Sequence, residues 1–154
     1  MLKVLVALGL VASLTGAQTG RQQASAADHV TVYRIKTCGC CGKWMDHLRG
    51  AGFGVTEHVV ETREAAPPRA RVPEALRSCH TAEVGGYIVE GHVPADVVKE
   101  LLRKRPEILG LAVPGMPAGS PGMESDKPEA YNVVAFNAKG GTYVFASIDP
   151  AKKK

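Results

Sequence analysis

Cys38-Gly39-Cys40-Cys41 places three thiols within four residues, directly after the β-type run Val30-Thr31-Val32-Tyr33-Arg34-Ile35 and at the head of a helical pattern. That arrangement fixes a strand, a tight turn and a helix in succession, with soft nucleophiles at the turn. A lone C-x-x-C pair, Cys38 and Cys41, at a helix N-terminus reads as a redox dithiol, because the helix end lowers the thiol pKa. The additional Cys40 shifts the reading, since a third thiol invites scrambling during two-electron exchange. Crowded thiolates suit a soft cation such as Cu(I). The flanking Gly39 and Gly42 mark a tight exposed turn, which argues against three merely packed cysteines.

The remaining elements follow from periodicity. Cys41, Met45 and Leu48 share one helix face ending near Gly50-Ala51-Gly52. Val55 to Val60 reads as a strand. Glu61 to Arg77 is interrupted by Pro67-Pro68, with room only for a short helix at Pro73-Glu74-Ala75-Leu76. Thr81 to Val84 and Tyr87 to Glu90 flank Gly85-Gly86, a hairpin signal. Pro94 opens a helix carrying Val97, Val98, Leu101 and Leu102. A loop rich in Pro and Gly is expected from about Leu109 to Ala130, then a second hairpin, Asn132 to Phe136 and Thr142 to Ala146. This order resembles an α/β, thioredoxin-like single domain with a C-terminal β-hairpin extension. In that topology Cys38–Cys41, Cys79-His80 and Glu90-Gly91-His92 meet at one edge of the sheet.

The N-terminus reads as an export signal. Met1-Leu2-Lys3 is a short basic start, and Val4 to Leu14 is an apolar run of eleven residues. A membrane span needs about 20, so the run fits a secretory signal and predicts no stable membrane insertion. Cleavage is expected after Ala26, with Ala17 as the alternative. The expected division is therefore a signal peptide over 1–26, a copper-binding domain over 27–149 and a basic tail over 150–154. Removing 1–26 takes away Lys3 and Arg21 but no acid, so the formal charge falls from +4 to +2. With Lys152-Lys153-Lys154 as a solvated tail and no aromatic-basic face, a nucleic-acid partner is excluded. A start at Ala27-Asp28-His29 would also offer an amine, two amides and an imidazole to Cu(II).

Three stretches beyond the CGCC turn carry candidate chemistry. Cys79 can ligate or resolve a disulfide. His80 follows it directly, and neighbours on a strand face opposite ways, so both can face the turn only if the strand starts later. His92 stands in a strand-to-helix turn. Pro114-Gly115-Met116 and Pro121-Gly122-Met123 repeat a tripeptide, and thioethers ligate Cu(I). His47 is about 10 Å along the helix from Cys40 and reads as surface. Trp44 is expected to shield the site, and Met45 to belong to the core or to the layer just behind the site.

Thr37-Cys38-Gly39-Cys40-Cys41-Gly42-Lys43-Trp44, Ser78-Cys79-His80-Thr81, Glu90-Gly91-His92-Val93-Pro94-Ala95 and Leu111 to Glu124 together resemble the CopG-like family of periplasmic copper-resistance proteins. The resemblance covers roughly Val30 to Ala146. It implies a thioredoxin-like fold, a periplasmic location, and copper at the CxCC turn, with more than one ion and cycling between Cu(I) and Cu(II) as open options. Other periplasmic copper-handling proteins are the implied partners. The expected metal ligands are Cys38, Cys40, Cys41, Cys79, His80, His92, Met116 and Met123. No nucleotide loop, serine triad or paired carboxylate points to another reaction, and turnover as an enzyme is left open. Two rivals stand beside copper binding. One is thiol–disulfide exchange at Cys38 and Cys41. The other is a zinc site of Cys38, Cys41, Cys79 and His80, which leaves Cys40 unused and lacks the two-pair spacing of zinc ribbons.

Overall fold

The computed structural model describes residues 28–152. The signal-peptide expectation and its cleavage site lie outside them, as do the last two lysines. The chain begins with strand β1 (His29–Ile35), where Val30 and Val32 alternate inward and are almost wholly buried. Helix α1 (Gly39–Gly50) follows and buries Cys41, Trp44, Met45 and Leu48 along one face. Arg49 in its last turn complements the negative end of the helix dipole. Strand β2 (Gly54–Val60) returns parallel to β1 and forms one sheet edge.

Pro67 and Pro68 do break the next stretch. In place of one short helix there are three 3₁₀ turns, at Arg63–Ala65, Pro67–Arg71 and Glu74–Leu76. Strands β3 (Thr81–Val84) and β4 (Tyr87–Glu90) form the expected hairpin, with β3 antiparallel to β1. Helix α2 (Ala95–Lys104) starts immediately after Pro94, with Asp96 in its first turn and Arg103 and Lys104 in its last.

The loop expected from Leu109 contains a strand. β5 (Gly110–Ala112) pairs parallel with β4 and antiparallel with β6 (Tyr131–Phe136), and β7 (Thr142–Ile148) closes the sheet. The C-terminal hairpin is therefore continuous with the main sheet. The order is β2-β1-β3-β4-β5-β6-β7, a mixed α/β domain with seven strands and two α-helices among the described residues. Both helices pack on the face carrying Val30, Val32, Val89, Leu111 and Val133. Val72 and Leu76, from the 3₁₀ segment, cover Ile88, Ala112 and Phe136 on the other face. No helix among the described residues is long and apolar enough to cross a membrane.

Strand directions decide where the chemistry gathers. Tyr33 pairs with Thr81, Thr81 with Glu90, and Glu90 with Ala112. The end of β1, the start of β3, the end of β4 and the end of β5 thus share one edge. The CGCC turn, Cys79-His80, His92 and the Met116–Met123 loop all leave the sheet there.

Candidate metal centre

Cys38 is the last extended residue before α1, and the helix places Cys41 one turn further on. The two are joined as a disulfide, leaving Cys40 and Cys79 as free thiols. Cys40 is half-buried, with its sulfur 3.6 Å from that of Cys38. Cys79 is almost wholly buried. The four sulfurs lie within 4.8 Å of one another, so the turn and the start of β3 make one sulfur cluster.

β3 begins at Thr81, one residue after His80, and this settles the orientation question. Cys79 and His80 precede the pleat and face the same side: Cys79 Sγ is 3.2 Å from His80 Nδ1. His92 approaches from the far end of β4, with Nε2 2.9 Å from the same sulfur. Cys79, His80 and His92 form a second donor set within 4.8 Å, and Cys79 belongs to both sets.

The imidazoles are prepared as neutral donors. His92 Nδ1 donates to the Pro121 carbonyl at 2.7 Å, which leaves the Nε2 lone pair facing Cys79. His80 Nε2 is buried without a hydrogen-bond partner among the described residues. Burial, then the nearby His92, holds the His80 pKa well below the ordinary value; burial likewise lowers that of His92. The Cys79 thiol is pushed up to about 12, by burial and then by Cys40. It is then a protonated thiol beside bare nitrogen, and a soft cation held there would displace that proton. Trp44 is fully buried, donates from Nε1 to the Val93 carbonyl at 2.8 Å, and lays its ring 4.3 Å from that of His80.

Two residues that sequence reasoning did not single out hold this edge in place. Glu90 is fully buried and accepts hydrogen bonds from Arg69 at 2.7 Å, Ser78 N–H at 2.6 Å and the Thr81 hydroxyl at 2.5 Å. Burial pushes its carboxyl pKa up, while the three donors pull the other way. Arg69 also donates to the Ser78 carbonyl, so the ion pair grips the residue next to Cys79. Ser78 Oγ in turn donates to the Gly115 carbonyl, tying in the methionine loop.

The methionines line different cavities. Met116 is half-exposed and lines a cavity of about 270 Å³ together with Cys79, Ser78, Arg63, Arg69 and Arg77. Met123 lines a different cavity with Cys40, Lys43 and Glu124. His47 is exposed, as read, and its Nε2 accepts the Ala95 N–H at the start of α2. His29 lies in β1 with Nε2 2.8 Å from the Thr56 hydroxyl; Ala27, needed for the Cu(II) set, lies outside the described residues.

Thiols and imidazoles converging on one sheet edge, clamped by a buried ion pair, define an α/β domain with a sulfur-rich site whose donors could hold a metal ion. The family described as "Protein of unknown function, DUF411" matches residues 76–123, which span Cys79, His80, His92, Met116 and Met123. No curated protein matches. Among solved structures, copper resistance protein CopG in its form 1 is 45% identical with a TM-score of 0.72, covering 78% of this chain and 96% of that one. Its form 2 is also 45% identical, with a TM-score of 0.73 and coverage of 79% and 98%. The chain belongs to the CopG-like copper-resistance family.

Proposed function

We propose that this is an exported, periplasmic copper protein of thioredoxin-like fold that holds Cu(I) for copper resistance. The observation that carries the reading is the sharing of Cys79 between a four-sulfur set and a Cys-His-His set. A thiolate common to two donor sets bridges ions, so more than one copper is accommodated. Two-electron reduction of Cys38–Cys41 by a thiol reductant makes all four sulfurs available. Met116 and Met123 complete coordination. The soft set disfavours Zn²⁺ relative to Cu(I), and the two imidazoles supply the harder donors that Cu(II) prefers.

The Cys38–Cys41 bridge favours thiol–disulfide exchange as a second reading, because it is the oxidised form of a helix-N-terminal dithiol. That reading can use Cys79 as a resolving thiol but gives no task to Cys40 or the imidazoles. Anaerobically reduced protein should take Cu(I) from a chromophoric chelator at more than one equivalent. Cys40→Ser and Cys79→Ser should each lower that stoichiometry. Full stoichiometry and affinity in both variants would leave an ordinary dithiol and sink the reading of a copper site shared through Cys79.

A further inference from the structure

We infer that the cavity between Arg63, Arg69, Arg77, Met116 and Cys79 receives copper as an anionic Cu(I)–thiolate complex of a small carboxylate-bearing thiol. The inference rests on the copper reading above and adds the form in which the ion arrives. The cavity of about 270 Å³ joins two kinds of group that have no reason to meet in a structural cleft. Its lining includes two soft-donor residues, the buried Cys79 and the half-exposed Met116. Around them are three guanidinium groups. Arg69 is committed to Glu90 and the Ser78 carbonyl, with Glu64 3.7 Å from its Nε. Arg77 donates one N–H to the Val72 carbonyl, and among the described residues neither Arg77 nor Arg63 forms an ion pair. Two planar forks are thus left for an incoming carboxylate, the group guanidinium matches best.

A mouth built for a bare Cu⁺ or Cu²⁺ ion would carry the opposite charge. The other cavity, at Cys40 and Met123, is charge-balanced by Lys43 and Glu124, 3.9 Å apart. The volume suits a cysteine-sized carrier better than a peptide. Transfer is a ligand exchange. The copper–sulfur bond to the carrier breaks, the bond to Cys79 forms, the Cys79 proton leaves on the carrier as its thiol, and copper stays Cu(I) throughout.

The test compares Cu(I) loading of reduced protein from N-acetylcysteine and from N-acetylcysteine amide, which present the same sulfur and differ in the carboxylate. The rate ratio, acid over amide, should exceed one and shrink with added salt. In Arg63→Gln/Arg77→Gln it should fall by about three- to tenfold, while Arg63→Lys/Arg77→Lys retains most of it. A ratio of one in the wild type, or an unchanged ratio in the glutamine variant, overturns the proposal and leaves copper binding intact. Failure of the wild type to take Cu(I) from either carrier or from a chelator overturns the copper reading, and this inference with it.

Discussion

At the scale of single residues, the site depends on one buried ion pair as much as on its ligands. Glu90 and Arg69 are both nearly inaccessible, and each supplies the other's nearest counter-charge. Glu90→Gln leaves the buried guanidinium with only the exposed Glu64, 3.7 Å from its Nε, as counter-charge, a loss of up to about 3–5 kcal/mol for a buried pair. Urea denaturation should show that loss, and copper affinity should fall although no ligand has changed. The imidazoles set a pH window. Because His80 and His92 have folded-state pKa values below the ordinary 6.5, the unfolded chain takes up protons first as pH falls. Their contribution is complete above about 6.5 and is lost on going below it. Cys79 works from the other side, being raised from 9.0 to about 12, so its contribution is complete below 9.0 and is lost as pH rises towards 12. Metal-free, reduced protein should therefore unfold at lower urea at pH 5 and at pH 10.5 than at pH 7.5. An equal midpoint at all three would contradict the assignment of these groups as buried and neutral.

At the scale of elements, the loop after β5 is the least tolerant part of the site. Gly122 has a φ of +86°, and a Cβ there would stand 2.7 Å from the Cys40 carbonyl and 2.9 Å from the Trp44 amide nitrogen, both backbone atoms of α1. Neither can yield without moving the helix. Gly115, in the same loop, has a φ of +69° with open space around it. Gly122→Ala should destabilise by about 2–4 kcal/mol and reduce copper uptake, whereas Gly115→Ala should cost about 1 kcal/mol of backbone strain and keep the site. Thermal melts with copper titrations on the pair separate packing from strain.

That loop also marks where the sequence stopped being legible. The CGCC turn, the Gly85-Gly86 hairpin and the meeting of three segments at one edge could be read from strand order alone. β5 could not, because three residues are too few for a periodic signal, and Gly110 and nearby Pro114 read as punctuation. Arg69 and Glu90 were missed for a related reason. An arginine in a proline-rich run and a glutamate at a strand end are both ordinarily solvated, and only the tertiary fold reveals that they are buried together. Whether Cys79 and His80 face one way turned on a single residue of strand boundary, finer than a pattern of alternation resolves.

At the scale of the whole molecule, the separation of the donors along the chain matters most. The CGCC turn, Cys79-His80, His92, and the Pro121 carbonyl that orients His92 are contributed by segments from residue 38 to residue 121. An unfolded chain offers at best the local thiols of the turn. On the proposed function, copper should therefore bind the native state preferentially and stabilise it by about 2.7 kcal/mol at a hundredfold excess over the dissociation constant. Differential scanning of reduced protein should show a melting temperature that climbs with Cu(I) and returns on chelation. Cys79→Ser should flatten that climb.

The same separation has a consequence for turnover in the cell. Proteases that act through transient opening sample the population of open chains, which falls as the native state is stabilised. A chain loaded with copper would outlast an empty one. Its abundance could then rise with the supply of the metal even at a constant rate of synthesis, with the sheet edge itself acting as the gauge.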